Sequence, residues 1–270
     1  MKTIVLIGAG NMGGALLQGW IGSWRQEAAF HVIDPVAKAS DRYPGVAVHT
    51  EAAALPAGLK PDVVILAVKP DKVVPALKEV APHIGPATCI VSVAAGVGID
   101  TIGTALPAGT PIARIMPNIG AMAGYAVSAG FAGPDVPQAT EALLDDMFSA
   151  IGQMCWVENE DDLHTVTAIS GSGPAYFFAF CETLRDAAMA HGLPAATAET
   201  LAVGTAISAG RLLEGSPTPE DLRHKVTSPN GTTAAGLAAL ARDNRFARLL
   251  DRTVDAAKAR SVELSGAPKT

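Results

Sequence analysis

Short apolar runs alternate with helical segments through the first half of the chain. The runs are rich in β-branched residues and lie at 3–8, 29–34, 46–50, 62–70, 88–96, 111–118, 125–133 and 153–158. Segments with helical spacing lie between several of them, for example at 71–84 and 136–151. Apolar strands that alternate with helices are typical of a mostly parallel sheet with helices on both faces.

The pattern changes after about residue 158, where helical segments follow one another without a convincing strand. These segments lie at 173–192, 194–215, 233–243 and 244–264. We therefore predict an α/β domain over residues 1–158 and an all-α domain over residues 159–270. The stretch 174–180 is apolar all round, so we expect it to be buried inside its domain or against a second subunit.

Composition narrows the class of protein. Net charge is −6, and no basic run stands out, which argues against a nucleic-acid binder. The three cysteines lack metal or disulfide spacing, and their apolar neighbours predict buried thiols in a reducing cytoplasm. The six histidines form no cluster with ligand spacing, so we predict no metal site.

The uncharged stretch 4–24 has some features of a signal peptide or a membrane span. Six glycines together with Asn11 and Gln18 favour a different interpretation, a strand followed by a turn and a helix. We therefore expect a cytoplasmic protein without a membrane segment.

The turn after the first strand carries a glycine pattern that suits a dinucleotide. It fits Gly-x-Gly-x-x-Gly, and its residues are Gly8, Ala9, Gly10, Asn11, Met12 and Gly13. The glycines permit a tight turn and a close approach of the backbone to a pyrophosphate, which then faces the N–H groups of a helix. The alternative is a tight structural turn without a ligand.

Asp34 ends the second predicted strand, at the position where such sites carry an acidic residue. A carboxylate there accepts hydrogen bonds from an unmodified ribose, which favours NADH, and it repels the phosphate of NADPH. Lys38 follows closely and is long enough to reach that phosphate. The alternative is that Asp34 only begins the turn at Pro35.

The carboxyl ends of later strands supply further candidates, because these ends line the ligand crevice of a parallel sheet. The candidate cofactor-binding residues there are Ala67, Val68, Lys69, Pro70, Ala94, Ala95 and Asn118. Lys69 either faces the cofactor or is a solvated charge, and Asn118 either holds the carboxamide or binds a structural water. The small residues Ala94 and Ala95 leave room for a flat ring. We interpret Arg114 as a structural partner for a carboxylate.

Two motifs in the helical half make a family resemblance specific. "AISGSGPAY" (168–176) and "VTSPNGTT" (226–233), with "GAGNMG", "DVVILAVKP" and "RIMPN", resemble the signature set of the pyrroline-5-carboxylate reductases in their family order. The resemblance runs from residue 6 to residue 240. One departure is Asn230, which replaces the first glycine of Ser-Pro-Gly-Gly; asparagine tolerates a left-handed backbone better than other non-glycine residues.

The resemblance implies that NADPH or NADH reduces 1-pyrroline-5-carboxylate to L-proline. A helix N-terminus binds a carboxylate well, so the turn would hold the substrate through Gly231, Thr232 and Thr233, with a hydroxyl from Ser228. The proton donor proposed for the family matches Thr233. The resemblance favours NADPH, which the family usually prefers, whereas Asp34 favours NADH. The resemblance also implies a homodimer formed by the helical domain, with the site between the domains and near the partner, and leaves further assembly open.

Three alternatives remain at this stage. A related hydroxyacid dehydrogenase would need a lysine four residues after Gly173, where this chain has Phe177. A protein that binds NAD(P) without turnover would retain the cofactor loop but would not need the late turn. A plain helix cap would explain one hydroxyl of that turn and leave the others without a role.

Overall fold

The computed structural model describes residues 1–24, 26–36, 43–215 and 218–266. The chain divides into two compact units, one of Met1–Ser172 with Ala257–Thr270 and one of Gly173–Ala256. The domain boundary after residue 158 stays a prediction. The compact units divide later, at residue 172, and the end of the last helix belongs with the first unit.

The first unit is built on one eight-stranded sheet. Its strands are β1 (Lys2–Ile7), β2 (Ala28–Ile33), β3 (Ala47–His49), β4 (Val63–Leu66), β5 (Cys89–Ser92), β6 (Ile112–Met116), β7 (Ala126–Ala132) and β8 (Gly152–Trp156). The spatial order is β3-β2-β1-β4-β5-β6-β7-β8. The first six strands are parallel, β7 is antiparallel to β6, and β8 is parallel to β7. The predicted mostly parallel sheet is confirmed.

Among the described residues, five α-helices belong to this unit alone. They are α1 (Asn11–Ser23), α2 (Val73–Val80), α3 (Ile99–Gly103), α4 (Gln138–Ser149) and α5 (Asp162–Val166), and a π-helical turn follows over Thr167–Gly171. The uncharged stretch 4–24 forms β1, the glycine turn and α1, as predicted. In the part of the chain that the structure describes, no helix combines the length and apolarity that crossing a membrane requires.

Apolar side chains cover both faces of the sheet, as the alternation of strands and helices along the chain predicts. On one face, α1 places Trp20 fully buried against Phe30 and Phe148, with ring centroids 6.1 and 5.4 Å away. The indole N–H of Trp20 donates to the Met147 carbonyl at 2.9 Å, so its one polar group is satisfied. On the other face, α2 buries Leu77 in a second cluster. These two layers fix the sheet that carries the site.

The second unit contains only helices among its described residues. They are α6 (Gly173–Ala190), α7 (Ala195–Leu213), α8 (Pro219–Lys225), α9 (Thr232–Ala241) and the first part of α10 (Arg245–Gly266). The predicted all-helical second half is confirmed. Phe177, Phe178 and Phe180 are 72, 62 and 52% exposed, so α6 is not buried inside the unit. Its burial against a second subunit stays a prediction.

The prediction that all three cysteines are buried is wrong for two of them. Cys89 is buried, and its burial raises the pKa of the thiol to about 12. Cys155 is exposed because it lies on β8, at the edge of the sheet, where alternate residues face outwards. Cys181 is intermediate between the two. All three thiols are free.

Candidate functional site

The glycine turn brings β1 and α1 close together at the carboxyl edge of the sheet. Gly8 has φ +94°, and a Cβ atom there would lie 2.6 Å from the Ala67 carbonyl oxygen. A Cβ atom on Gly13 would overlap the Gly8 carbonyl oxygen. Gly10 differs, because nothing lies within 4 Å of the position that its Cβ would take. Gly8 and Gly13 are therefore needed for the close packing of β1 and α1, whereas Gly10 leaves an open space beside the turn.

That open space lies at a helix N-terminus. The helix α1 begins at Asn11 with Gly10 as its cap residue, and no side chain caps it. The N–H groups of Asn11, Met12 and Gly13 have no acceptor one turn earlier in the helix, so they are available to an anion. The turn thus has the donors and the free volume that a pyrophosphate needs.

Asp34 joins this turn to the end of β2. One carboxylate oxygen accepts the Ala9 N–H at 2.6 Å, and the other accepts the Val36 N–H at 2.8 Å. Asp34 therefore does form the turn at Pro35, and it also binds the glycine turn through the Ala9 N–H. Whether Asp34 also selects NADH stays a prediction, and Lys38 lies outside the described residues.

A pair of histidines lies beside Asp34, on β2 and β3. Nδ1 of His31 and Nε2 of His49 are 3.1 Å apart, with the ring centroids at 5.4 Å. The centroid separation is about the sum of that distance and two ring radii, so the rings meet edge to edge and share a hydrogen bond. Burial and the neighbouring His49 both lower the pKa of His31. The His31 imidazole therefore loses its proton at a lower pH than an isolated imidazole does.

The segment after β4 packs against the glycine turn. The Ala67 N–H donates to the Ile7 carbonyl at 2.8 Å, and Val68 contacts the position of Gly8. Lys69 is exposed and precedes a 3-10 turn that begins at Pro70. These four predicted residues thus lie at the carboxyl edge next to the glycine turn, and a contact of Lys69 with a cofactor stays a prediction.

The small residues after β5 are buried at the same edge. Ala94 is buried and Ala95 is half-buried, and the Ala94 N–H donates to the Ser92 hydroxyl at 3.3 Å. The neighbouring strand carries Arg114, which pairs with Glu160 at 2.8 Å. The predicted carboxylate partner of Arg114 is confirmed. Sequence reasoning missed which carboxylate it is, although a buried arginine in an apolar strand signals that one exists.

Asn118 is already engaged by the protein. Its side-chain oxygen accepts the N–H groups of Gly120 at 3.0 Å and Val127 at 3.1 Å, and its amide donates to the Ser170 carbonyl at 3.1 Å. The side chain is buried and ties the end of β6 to the π-helical turn. Its oxygen therefore has a structural role, and a contact with the cofactor carboxamide stays a prediction.

The predicted substrate turn lies in the second unit, between α8 and α9. Asn230 adopts φ 59°, which is the left-handed conformation that its replacement of glycine requires. The Gly231 N–H donates to the Ser228 carbonyl at 3.1 Å and closes the turn, so this N–H is used internally. A side chain on Gly231 would collide with the Ser228 hydroxyl. Gly231 therefore shapes the turn, and its contact with a substrate stays a prediction.

The hydroxyls of this turn do not cap its helix. The helix α9 begins at Thr232 with Gly231 as cap residue, and no side chain makes a cap hydrogen bond. The Thr227 hydroxyl instead donates to the Arg223 carbonyl at 2.6 Å, at the end of α8. Ser228, Thr232 and Thr233 are exposed. A plain helix cap therefore does not explain the hydroxyls, and the N-terminus of α9 is open to an anion.

The described residues contain no cluster of potential metal ligands. In 1–24, 26–36, 43–215 and 218–266, no three or more His, Cys, Asp or Glu side chains are grouped to hold an ion.

Two protein-family models match the chain, one in its sheet-containing half and one in its helical half. Residues 3–96 match a family described as NADP oxidoreductase coenzyme F420-dependent. Residues 160–264 match a family described as pyrroline-5-carboxylate reductase dimerisation. The pyrroline-5-carboxylate reductase of Pseudomonas aeruginosa is 35% identical over 264 residues, which is 97% of this chain and 96% of that protein.

Solved structures give the same picture. A pyrroline-5-carboxylate reductase from Coxiella burnetii is similar with a TM-score of 0.90 and 31% identity, over 98% of this chain and 99% of that chain. The pyrroline carboxylate reductase of Plasmodium falciparum, solved with NADP bound, has a TM-score of 0.81 and 25% identity, over 98% of each chain. The likeness thus covers both compact units.

Proposed function

The chain belongs to the pyrroline-5-carboxylate reductase family, and from this premise we propose that it reduces 1-pyrroline-5-carboxylate to L-proline, the last step of proline biosynthesis. NADPH or NADH supplies the hydride to the imine carbon, and a proton goes to the ring nitrogen. One observation carries the proposal beyond family membership. The turn before α9 has several exposed hydroxyls, and none of them caps the helix.

The cofactor end of the reaction depends on the glycine turn. The open space at Gly10 and the N–H groups of Asn11, Met12 and Gly13 suit the pyrophosphate. The residues after β4 and β5 flank the same edge, and the small side chains of Ala94 and Ala95 leave room for the nicotinamide. These residues bind and orient, and the redox chemistry belongs to the cofactor.

The substrate end of the reaction depends on α9. The N–H groups of Thr232 and Thr233 bind the substrate carboxylate, and the Ser228 hydroxyl donates a further hydrogen bond. The Thr233 hydroxyl holds the ring nitrogen and relays a proton to it from water, because a threonine hydroxyl alone is a weak acid. Reducing a protonated imine needs no general base, so Phe177 at the lysine position of the hydroxyacid dehydrogenases is compatible with this reaction.

A homodimer is part of the proposal. The second unit exposes many large apolar side chains, and among its described residues the buried side chains are those of Ala198 and Ala202. Exposed apolar surface on this scale is typical of an interface. The matched family over residues 160–264 is described as a dimerisation family. The proposal also includes a cytoplasmic location, and it leaves assembly beyond the dimer open.

The deciding experiment is steady-state oxidation of NADPH and of NADH by the purified protein with 1-pyrroline-5-carboxylate. We expect oxidation of at least one cofactor with equal formation of L-proline. The ratio of the two rates also reports the preferred cofactor. Protein that binds either cofactor but oxidises neither would refute the proposed function and favour a non-catalytic NAD(P)-binding protein.

A further inference from the structure

The loop that follows β5 is held at its start, its middle and its end. At its start, the Ser92 hydroxyl accepts the Ala94 N–H at 3.3 Å. In its middle, Gly96 has φ +74°, and a Cβ atom there would lie 3.2 Å from the carbonyl carbon of Leu264 in α10. At its end, the Ile99 N–H donates to Glu160 Oε1 at 2.8 Å. The 93–98 loop is therefore held by its neighbour Ser92 and by two partners distant in sequence, Leu264 and Glu160.

Glu160 is itself fixed by a buried cation. The same Oε1 atom that accepts the Ile99 N–H pairs with Nη1 of Arg114 at 2.8 Å. The Arg114 side chain is only 6% exposed. Arg114 lies on β6, in register with Ser92 at the end of β5. Because the guanidinium cannot move far in a packed sheet, the carboxylate has a defined place from which to hold the loop.

We propose that Glu160 is a positioning residue for the nicotinamide ring. It holds the end of the 93–98 loop at Ile99, and thereby sets the distance of Ala94 and Ala95 from the ring that they flank. Glu160 does not touch the reacting atoms. The inference rests on the proposed function in one respect, which is that Ala94 and Ala95 face the nicotinamide.

The test compares two ligands that differ only in the nicotinamide. One is NADP⁺ and the other is 2′-phospho-ADP-ribose, which keeps the adenosine and pyrophosphate but lacks the ring; NAD⁺ and ADP-ribose serve if the wild type prefers them. We expect Glu160→Ala to raise the Kd of the dinucleotide about tenfold, because the loop that places Ala94 and Ala95 is no longer held at Ile99, and to raise the Kd of the fragment less than about twofold. Equal weakening of both ligands, or of neither, would overturn the proposal.

Two further variants separate positioning from general stability. Glu160→Gln retains an oxygen that can accept the Ile99 N–H, so we expect it to recover most of the dinucleotide affinity even if Arg114 is left without a counter-charge. Asp62→Ala is the matched control, because Asp62 accepts the Thr3 N–H at 2.9 Å and pairs with Lys2 at 3.0 Å, at the amino edge of the sheet. We expect it to change neither Kd.

A glutamine variant as weak for the dinucleotide as the alanine variant would overturn the proposal, and so would an Asp62→Ala variant that discriminates the two ligands. These measurements use no 1-pyrroline-5-carboxylate. A failure of the proposed reductase activity is therefore distinguishable from a failure of the inference about Glu160.

Discussion

Replacing Gly10 with alanine should separate cofactor binding from folding. Gly10 has φ −66° and an extended backbone, which alanine adopts without strain. No protein atom lies within 4 Å of the added Cβ. We therefore expect the free energy of unfolding to change by no more than about 0.5 kcal/mol, because alanine fits the folded backbone and also restricts the unfolded chain.

The same methyl group projects into the space left for the pyrophosphate. It would push a phosphate away from the N–H groups at the start of α1. Loss of one charged hydrogen bond weakens binding by about 1.5–3 kcal/mol, which corresponds to a rise in Kd of roughly tenfold to a hundredfold. The assay is a titration of NADPH by fluorescence, alongside urea unfolding of the same variant without cofactor.

The contrasting variant is Gly13→Ala. Its Cβ atom would overlap the Gly8 carbonyl oxygen, so α1 has to move away from β1. We expect the free energy of unfolding to fall by about 1–3 kcal/mol, as overpacking usually causes. If Gly10→Ala binds NADPH as tightly as the wild type, or loses as much stability as Gly13→Ala, the assignment of the open space to the pyrophosphate is wrong.

Three other changes test separate steps. Thr233→Ala should lower turnover more than cofactor affinity, with partial recovery in Thr233→Ser; unchanged kcat would remove this hydroxyl from the reaction. Asp34→Ala should raise the Kd of NADH more than that of NADPH, whereas equal losses would reduce Asp34 to its contacts with Ala9 and Val36. Burial raises the pKa of Asp62, but the Thr3 N–H and the Lys2 ammonium outweigh it and hold this pKa below its ordinary value. The stability that Asp62 contributes is therefore present above about pH 4 and is lost as pH falls through the lowered pKa. Urea unfolding of Asp62→Asn and wild type should converge as pH falls below that value, and a constant gap would contradict the assignment.

The sequence pattern predicted most of the fold because most of the strands are apolar enough to be recognised without their neighbours. All eight predicted strands form, and the glycine pattern sits between β1 and α1 as expected. The predicted role of Asn118 shows the limit of such reasoning. Its position at a strand end suits a ligand, but its hydrogen bonds reach residues as distant as Ser170, and no local pattern reveals them.

Hydrogen-bond partners far apart in sequence account for the other omissions. The burial of Arg114 indicates that it has a carboxylate partner. The sequence does not identify that partner, because Glu160 lies in a stretch with several acidic residues that are equally suited to pair with an arginine. The exposure of Cys155 depends on β8 being the last strand of the sheet, which the sequence of that strand does not state. Local patterns therefore predict elements well, whereas neighbours in space need the assembled sheet.

The contact of Gly96 with the end of α10 has a consequence for synthesis of the protein. The strands and the glycine turn lie within the first 156 residues, and they leave the ribosome early. The backbone at Leu264 and Ser265 that packs on Gly96 is made after the helices α6 to α9. The nascent chain therefore holds a dinucleotide unit that lacks one wall of its 93–98 loop until translation passes residue 265. We expect full cofactor affinity only after this backbone has been made and has packed on Gly96.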